Sequence, residues 1–496
     1  MSIQPLESFT PYSSAAPMFT AQPQWMSDYD AQRVLSYQVY EQIYWSVPET
    51  FKLTARGTDA APIYVPTGKT IIDTTDRYVG KQWAPTIDPA FGTPADQVAL
   101  RNTLAMLFRR EKMFTKYNAN KLYGLIRGDW LFHIIGNDLK PQGTRIKIET
   151  VDPAAYFPVP HPDDPDRIIG CHIVEQIQTD DGWKLKRQTY QKGADPVNND
   201  GSDTVIYNSV AIFNAESWEE FDANPVTVLK PLTPLPAQIT ALPVYHVKNI
   251  ETPGDPFGSS DLRGLERIMA AVNQAISDQE LALALDGLGM YATDAGTPEG
   301  GRWVLGPGRV VQRPKGTEFE RISGVQTVTP IINHLDWLIA RLKEGSGTPD
   351  VAIGLVEKTD ASGVSLLLQM GPMLAKAEKR DETISGTMDQ FLYDISTMWL
   401  PAYESLSFEA VCVSSYGDVL PQDRKAQLDE IVAIAGMPGV VDSTWIQLEL
   451  AKLGYVFDKE TAANAITELQ ARAQALDPFA ARLAQEEQGD GGASGE

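Results

Sequence analysis

The chain has 496 residues, 43% of them hydrophobic and 9% aromatic, with a formal net charge of −23 from 65 acidic and 42 basic residues. This length exceeds what one hydrophobic core usually supports, so we expect two to four structural units. The acidic balance argues against a surface built to grip nucleic acid, because such binding depends on lysine and arginine neutralising phosphates. The sequence has no apolar run long enough to span a bilayer, and we expect no membrane partner.

The predicted elements begin after a polar, proline-rich N-terminal arm, residues 1–27. Its composition predicts a segment that is disordered alone or ordered by a neighbour. A helix capped at Ser27 or Asp28 should run to about Trp45. We then expect a connection rich in proline and glycine, followed by a single long helix over residues 94–126.

Between residues 128 and 250 the period changes to short alternating or β-branched runs, which are typical of half-buried strands. Asp180-Asp181-Gly182 supplies a hairpin turn within this region. We predict a mostly antiparallel sheet packed on the helices before it. The predicted strands are residues 130–135, 145–150, 168–178, 183–190, 205–213 and 244–249.

A further helix should begin at Ser260 or Asp261, with apolar residues at three- and four-residue steps that approach a heptad seam. An ordinary core helix is one interpretation. We favour packing against other copies of the chain, because the apolar stripe is narrow and the opposite face is mixed. The seam residues are Leu262, Leu265, Met269, Val272 and Ile276.

The next segment, residues 288–324, is dense in turns and contains only short strand-like runs, among them Glu318–Arg321. Strands this short do not make a stable sheet alone, so we expect the segment to borrow contact area from a neighbouring subunit. Its candidate contact residues are Arg302, Trp303, Arg309 and Arg313.

Two long helices with a loop between them form the most informative block of the chain. The first should cover residues 325–345 and the second should open at Val364, with Pro372 inside it. Pro372 removes one hydrogen bond of the helix and predicts a kink. The loop, residues 346–363, holds few large apolar side chains and should be mobile. Its candidate functional residues are Gly347, Asp350, Glu357, Lys358, Asp360 and Gly363.

After the long helix, residues 403–414 form one more strand-like run. Three helices should close the chain, and residues 481–496 form an acidic, glycine-rich tail that we expect to be disordered. Cys171 and Cys412 predict buried, reduced thiols, so the fold should not depend on a disulfide.

The search for catalytic chemistry is largely negative. Gly68-Lys69-Thr70 matches the end of a phosphate-binding loop, but Ile63 stands where the first glycine should be. His161 lies in an acidic, proline-rich run that predicts a turn more strongly than a metal site. Neither a Gly-x-Ser-x-Gly elbow nor a His-Glu-x-x-His pair is present. We predict no catalytic residue, cofactor or metal, and no enzymatic activity.

The serial order of these parts resembles the portal proteins of tailed double-stranded DNA bacteriophages, particularly those with long non-contractile tails. The similarity spans roughly residues 28–475. The stretches that carry it are Val151-Asp152-Pro153 through Phe157-Pro158-Val159 with Asp163-Asp164-Pro165-Asp166, Pro256-Phe257-Gly258-Ser259-Ser260-Asp261 leading to Asn273-Gln274-Ala275-Ile276-Ser277-Asp278, and Ser362-Gly363-Val364-Ser365-Leu366 with Gly371-Pro372-Met373-Leu374-Ala375-Lys376.

The resemblance implies an α+β, portal-type fold with a mixed α/β wing, long stem helices, a small β-containing clip and a C-terminal helical crown. Residue boundaries follow from it. They are an arm at 1–27, the wing at 28–260, stem helix 1 at 261–287, the clip at 288–324, stem helix 2 at 325–345, the tunnel loop at 346–363, a kinked long helix and wing return at 364–418, the crown at 419–480 and the tail at 481–496.

The resemblance also implies a function. Copies of the chain, twelve in the family, would form a ring-shaped channel at one capsid vertex for DNA packaging, retention and ejection. The implied partners are further copies of the chain, double-stranded DNA, the terminase, the major capsid protein and a head-tail adaptor. The implied location is the portal vertex of the virion, and the host cytoplasm during assembly.

Two alternatives remain open. A capsid or tail structural protein that assembles without conducting DNA would have no need of the glycine-flanked loop. An enzyme, such as a nuclease or a nucleotide hydrolase, would require clustered carboxylates or a complete phosphate-binding loop.

Overall fold

The described residues combine helices with strands that pair only in antiparallel fashion, most of them between residues 129 and 248, so the fold class is α+β, as predicted. A computed structural model describes residues 26–51, 53, 63–180, 182–193, 204–214, 225–288, 290–293, 319–322, 329–355, 363–417, 431–435 and 463–468. The chain forms two compact units, Met1–Gly417 and Asp418–Glu496.

The helices of the first unit, in chain order, are α1 (Asp28–Tyr44), α2 (Pro48–Phe51), α3 (Thr67–Tyr78), α4 (Pro94–Glu111), α5 (Met113–Arg127), α6 (Glu266–Leu288), α7 (Thr329–Ser346), α8 (Asp350–Ile353) and α9 (Gly363–Asp394). A π-helix, Ile395–Glu404, continues α9 directly. A short 3-10 helix lies at Pro153–Ala155.

The strands are β1 (Ala84–Ile87), β2 (Asp129–Gly136), β3 (Ile146–Val151), β4 (Tyr156–His161), β5 (Asp164–Thr179), β6 (Gly182–Gly193), β7 (Val205–Asn214), β8 (Thr227–Pro234), β9 (Val244–Lys248), β10 (Met290–Thr293), β11 (Phe319–Ile322) and β12 (Cys412–Ser415). They form a five-stranded sheet in the order β4-β5-β6-β7-β8, a three-stranded sheet in the order β3-β2-β9, and the pairs β1-β12 and β10-β11. Every pairing is antiparallel.

The largest apolar core lies where the three-stranded sheet meets α4, α5, α9 and the π-helix. Phe132 of β2 packs against Phe391 of α9, and Trp399 stacks on Tyr403 within the π-helix. A second core joins α1, α3 and α5 to the start of α6. The helices therefore pack against one another and against β2, which is buried at six consecutive positions from Asp129.

Several predicted elements are confirmed. Ser27 caps α1, because its side-chain oxygen accepts the backbone N–H of Asp30 at 3.1 Å. The antiparallel character of residues 128–250 is also confirmed, and Thr179 pairs with Gly182 across the predicted hairpin turn. Residues 319–322 form a strand, as the run at 318–321 predicted.

Other predictions about the helices were wrong. The connection expected before Pro94 contains α3 and β1. The single helix expected over 94–126 breaks at Lys112, which adopts a left-handed conformation with φ 53°. The helix expected from Ser260 or Asp261 begins at Glu266, because the preceding residues form turns.

Predictions about the remaining β-structure need correction too. The alternation of apolar and polar residues did not predict β4 or β8, although the stretch at 151–166 resembles the wing hairpins of portal proteins and β4 pairs with β5 there. The strand expected over 403–414 is confined to Cys412–Ser415. Its first residues belong instead to the π-helix, whose buried face includes Trp399 and Tyr403.

In the second unit, residues 431–435 and 463–468 are helical. The rest of the predicted crown and the acidic tail lie outside the described residues.

Candidate functional site

The connection between β9 and α6 contains the Pro256–Asp261 stretch that carries the portal resemblance, and we call residues 256–262 the junction segment. It is held against the main chain at Gly128. A Cβ atom on Gly258 would stand 2.3 Å from the carbonyl oxygen of Gly128, and one on Gly128 would stand 2.7 Å from the carbonyl carbon of Ser259. Gly128 also has φ 111°, so both positions require glycine.

Asp129 also holds the junction segment in place, through a hydrogen bond with its backbone. Its fully buried carboxylate accepts hydrogen bonds from the Tyr37 hydroxyl at 2.6 Å and from the Gly258 backbone N–H at 2.7 Å. His246 Nε2 lies 2.7 Å from the same carboxylate. One side chain thereby joins α1, β2, β9 and the junction segment.

Phe257 adds an aromatic anchor. The guanidinium of Arg33 lies 3.9 Å from the centroid of the Phe257 ring, and it also donates to the carbonyl oxygen of Pro153 at 2.7 Å. Since Arg33 is buried, this cation–π contact is made away from water, where such contacts are strongest.

Asp261 is the centre of the site. Its side chain is 1% exposed and lies 2.9 Å from Lys376 Nζ and 3.0 Å from Arg380 Nη2, two residues one helical turn apart on α9. Asn249 Nδ2 donates to the same carboxylate at 3.0 Å. The structure thus pairs one buried carboxylate with two cations.

The positive charges next to Asp261 offset the effect of its burial on the pKa of its carboxyl group. Burial alone would raise the pKa of Asp261, but the positive charges of Lys376 and Arg380 outweigh it, and the pKa lies below its ordinary value. The carboxylate is therefore held in its ionised form, as required for an ion pair that ties the junction segment to α9.

Lys376 extends the site to two further elements. Its ammonium donates to the carbonyl oxygen of Ser346, the last residue of α7, at 3.2 Å, and to the Thr75 hydroxyl of α3 at 3.1 Å. The base of α6, the end of α7 and the middle of α9 therefore meet in one buried cluster, which we call the junction cluster (Thr75, Asp261, Ser346, Lys376 and Arg380).

The predicted seam lies largely inside the chain. Leu262, Leu265 and Met269 belong to the apolar core formed with α1, α3 and α5, and Val272 is also fully buried. These four side chains cannot contact another copy, which corrects the interpretation of the stripe as an intersubunit seam. The narrow stripe is sufficient because α3 and α5 cover it. Ile276 is half-buried.

Polar residues of the same helix bind the chain that precedes α3. Asn273 accepts the backbone N–H of Val65 at 2.7 Å, and Ser277 Oγ accepts that of Ile63 at 2.9 Å. Both residues belong to the Asn273–Asp278 stretch singled out in the sequence. These two hydrogen bonds hold the first half of α6 against residues 63–65.

The first part of the predicted tunnel loop is folded. Gly347 adopts φ 65° after α7, and Asp350 opens the short helix α8 with an ion pair to Lys343. Thr348 and Ala352 are buried, so this half of the loop buries more than its sequence suggested. Gly363 begins α9, whereas Glu357, Lys358 and Asp360 lie outside the described residues.

The helix α9 is continuous from Gly363 to Asp394, and Pro372 lies within it. Pro372 itself is exposed. The predicted kink remains a prediction.

The predicted clip is described only at its two ends. Residues Met290 and Thr293 pair with Ile322 and Phe319, respectively, so β10 and β11 close the segment at its base. Arg302, Trp303, Arg309 and Arg313 lie outside the described residues.

The other candidate sites have structural explanations. Lys69, in the sequence that matched a phosphate loop, lies over the Tyr44 ring at 4.6 Å and donates to the Tyr44 hydroxyl at 3.0 Å. Within the described part of the chain, no three His, Cys, Asp or Glu side chains are placed to hold a metal ion, and no helix has the length and apolarity to cross a membrane. Cys171 and Cys412 are buried free thiols, and burial raises the pKa of each to about 12.

Sequence reasoning missed most of the charged residues at this site. Arg127, which is fully buried, pairs with Glu41 at 2.9 Å and with Asp152 at 3.0 Å beside the junction segment. Only Asp152 lies in a stretch singled out from the sequence. Arginine and glutamate on helices 86 residues apart carry no local signal that they meet.

No protein-family model and no curated protein sequence matches the chain. Among solved structures it is similar to a chain of the neck of a native gene transfer agent particle computed with twelve-fold symmetry, with TM-score 0.41 and 12% identity over 79% of this chain and 95% of that one.

Two further structures show the same level of similarity. A chain of the virion of a native gene transfer agent particle has TM-score 0.41 and 12% identity over 87% of this chain and 95% of that one. A chain of the neck of an empty particle, computed with six-fold symmetry, has TM-score 0.40 and 13% identity over 78% of this chain and 90% of that one. At such values the similarity assigns neither a function nor partners to this chain.

Proposed function

We propose that the chain is a structural component of the head-to-tail region of a phage-like particle, and more specifically a portal protein. Its copies would form a ring-shaped channel for DNA packaging, retention and ejection. The junction cluster is the observation that carries the proposal. Asp261 ties the base of α6, the end of α7 and the middle of α9 together at the root of the loop that a channel would use.

The junction cluster would give such a loop a fixed base. Lys376 holds the last carbonyl of α7, and Asp261 holds Lys376 in turn. A load applied to the loop by moving DNA would pass directly into α9 and the sheet-containing body. A buried ion pair resists this load well, because separating its partners would leave uncompensated charge away from water.

The α6–α7 pair supports assembly into a ring. The two helices pack against each other, and the antiparallel pair β10-β11 lies in the chain between them. Large apolar side chains remain exposed on this helix pair: Leu283 at 44%, Ile332 at 42% and Trp337 at 55%. Contact with neighbouring copies would bury them, which gives association a hydrophobic driving force.

The negative charge of the chain favours a channel through which DNA slides over a surface that binds DNA tightly. Each copy adds a formal charge of −23 to the assembly. A channel wall that repels phosphates allows a duplex to slide, whereas a series of lysine and arginine contacts would have to be broken at every step. We therefore propose that DNA contact in the channel is steric and that Lys358 contributes little to it.

The proposal includes partners and a location. A portal ring would meet the terminase during packaging, the major capsid protein around its rim and a head-tail adaptor at its outer end. It would occupy the portal vertex of the virion after assembly in the host cytoplasm. The role requires no catalytic residue and no cofactor.

Imaging of the purified full-length chain tests this function. We expect closed rings with a central channel wide enough for a DNA duplex, viewed by electron microscopy down the symmetry axis. Rings without a channel would overturn the portal assignment in favour of a non-conducting capsid or tail protein. Nuclease or nucleotide-hydrolase turnover by the pure protein would instead place it among enzymes.

A further inference from the structure

One apolar face of the five-stranded sheet continues beyond the side chains that cover it. Met26 lies on this face in a buried cluster with Phe157, Val174, Leu185 and Phe213, which belong to β4, β5, β6 and β7. Ala211 packs against the same cluster and is paired with Val228 of the next strand, β8. Val228 is nevertheless 54% exposed, and Val226 just before it is 48% exposed.

The strand β8 is also the edge of the sheet. It is hydrogen-bonded to β7 on one side only among the described strands, and Leu229 on it is 55% exposed. An edge strand with exposed apolar side chains is a template for another strand, which proteins normally cover. Pro231 and Pro234 interrupt the second half of β8, so the open edge is confined to residues 227–230, within which the register with β7 shifts at Leu229.

The chain that precedes Met26 has the pattern of such a covering strand. Residues 19–25 read Phe-Thr-Ala-Gln-Pro-Gln-Trp, a strict alternation of apolar and polar residues without a charged side chain. Alternation with a period of two is the mark of a strand with one buried face. This segment lies outside the described residues, and its C-terminal end is fixed at Met26 on the apolar face.

The proline positions agree with an edge strand. Pro5, Pro11, Pro17 and Pro23 are spaced by six residues, which is an even number. In an extended strand, residues separated by an even number point their N–H groups to the same side. All four missing donors therefore lie on one side, and the other side keeps a complete set of N–H groups for pairing.

We propose that residues 19–22 of each chain pair with β8 of the same chain as a sixth strand of the sheet, with Phe19 and Ala21 covering Val226 and Val228, and that residues 23–25 connect this strand to Met26. Adjacent strands lie about 4.8 Å apart, and an extended residue spans about 3.3 Å. From β7, the strand of the Met26 cluster nearest to β8, a sixth strand lies two strand spacings away, about 9.6 Å, which three extended residues span. Residues 19–22 then remain opposite Thr227–Lys230. Tethering at Met26 gives the chain's own arm an effective concentration in the millimolar range, which favours it over the arm of a second copy.

Introduced cysteines in the full-length chain test this pairing. Both native cysteines are buried, so they do not compete. The double variant Ala21→Cys, Val228→Cys should form an intrachain disulfide under mild oxidation. The matched control, Ala21→Cys with Leu139→Cys, offers a target that is 96% exposed, yet it should react at least about tenfold more slowly because the arm is held elsewhere. Equal rates for the two pairs would overturn the proposal.

A mixture of the single variants Ala21→Cys and Val228→Cys distinguishes one chain from two, because only an interchain disulfide can form there. Efficient dimer formation on a non-reducing gel would overturn the same-chain assignment.

Hydrogen exchange gives a second readout that does not depend on a cross-link. In a Phe19→Ser, Ala21→Ser variant, the amides of residues 227–230 should exchange about tenfold faster than in the unmodified chain. The amides of β2, which is buried at the centre of its sheet, serve as the control and should not change. Unchanged exchange at 227–230 would overturn the proposal. Neither outcome depends on ring formation, so this inference and the proposed function can fail separately.

Discussion

At the scale of single residues, buried carboxylates in this chain differ in what surrounds them. Asp261 faces two cations, and its pKa is lowered although burial opposes this. Burial dominates at Asp394, where the partners are the Tyr245 hydroxyl and the Gln390 amide, and the pKa is raised. A carboxylate held ionised by two lysine or arginine side chains is thus a feature of the junction and not of the interior in general.

Substitution of Asp261 by asparagine should therefore be costly. The variant leaves the buried Arg380 and the partly buried Lys376 without their negative partner, and breaking a buried ion pair in this way costs about 3–5 kcal/mol. Denaturant unfolding should show this loss at neutral pH. Because the pKa of Asp261 is lowered in the folded chain, its contribution is present above the unfolded pKa and is lost as the pH falls through the folded pKa.

The exposed pair of Arg341 and Glu344 on α7 supplies the control for this prediction. Its two side chains are 49% and 60% exposed, and Arg341→Ala should cost at most about 1 kcal/mol. A loss for Asp261→Asn no larger than that of Arg341→Ala would contradict the assigned role of the junction cluster.

His133 gives a separate prediction about pH. It is buried in β2, where its Nε2 lies 2.9 Å from the Tyr190 hydroxyl, and burial lowers its pKa from 6.5 to about 4. The unfolded chain binds a proton at higher pH than the folded chain does, so stability is lost as the pH falls from 6.5 toward 4. Between pH 7 and pH 5 the free energy of unfolding should fall by about 2 kcal/mol through this residue.

Comparison of His133→Gln with His334→Gln checks the assignment. His334, which is exposed on α7, supplies the same substitution outside the core. His133→Gln should reduce the fall between pH 7 and pH 5 by about 2 kcal/mol, whatever its effect at neutral pH, and the pKa of His172, which burial also lowers to about 4, accounts for a remaining fall. The same pH slope in both variants would rule out His133 as the group responsible.

At the scale of elements, hydrophobic periodicity predicted the long helices, but packing decided where they end. The local sequence at Lys112 does not predict a break between two helices, since the residue is neither glycine nor proline. The break places Phe108 and Tyr117, on opposite sides of it, against the same ring of Trp83, with centroid distances of 6.0 and 4.8 Å. Trp83 lies well before both helices in the sequence, so its contribution could not be read from the helical pattern.

The two strands that were not predicted share one cause. Pro158 and Pro160 stand in β4, and Pro231 and Pro234 stand in β8. Proline removes a backbone donor and argues against a central strand, which favoured loops at both places. The structure places β4 and β8 at the two edges of the five-stranded sheet, where a missing donor is tolerated.

The junction segment could be located from the sequence, but its chemistry could not. The stretch Pro256–Asp261 stood out through its resemblance to portal proteins, and Asp261 was expected only to start a helix. Its partners Lys376 and Arg380 follow more than a hundred residues later, and their spacing of four residues fits any helix. Which carboxylate they meet is set by the packing of α9 across the body, a long-range contact that local patterns do not encode.

Pro372→Ala tests the predicted kink of α9. Alanine restores the missing helical hydrogen bond and removes the clash of the ring with the preceding turn, so the helix should straighten and gain up to about 3 kcal/mol of stability. The proposed ring should then close less well, although the isolated chain unfolds later. Denaturant unfolding and electron microscopy of the same sample measure the two effects.

Gly371→Ala is the matched control for Pro372→Ala. A Cβ atom at Gly371 meets nothing within 4 Å, so the change should add only about 1 kcal/mol through helix propensity and leave the kink in place. Normal rings from Pro372→Ala, indistinguishable from those of Gly371→Ala, would show that the kink is dispensable or arises elsewhere.

At the scale of the whole molecule, the first unit has cores that are complete within one chain and an apolar surface that is left exposed on α7. The cores around α5 and α9 bury their large side chains within one chain. By contrast, α7 buries only Leu338, Leu342 and Ser346, and Trp337 is left 55% exposed. A monomer would therefore be expected to fold and yet to expose an apolar surface on α7, which is the condition under which association is favourable.

The last prediction concerns residues 288–324, which contain the paired strands β10 and β11. An isolated two-stranded ladder of four residues per strand is marginal in water, so neighbouring copies should supply the contacts that stabilise it. Replacement of 288–324 by a short glycine-serine linker should leave the body soluble and folded, because its cores lie elsewhere. Ring closure should fail, giving monomers or open arcs by analytical ultracentrifugation and electron microscopy.

Removal of the acidic tail, residues 481–496, is the control and should leave rings intact. Closed rings of normal size from the 288–324 variant would show that the body and the α6–α7 pair assemble without the segment, and its assignment as an intersubunit clip would be wrong.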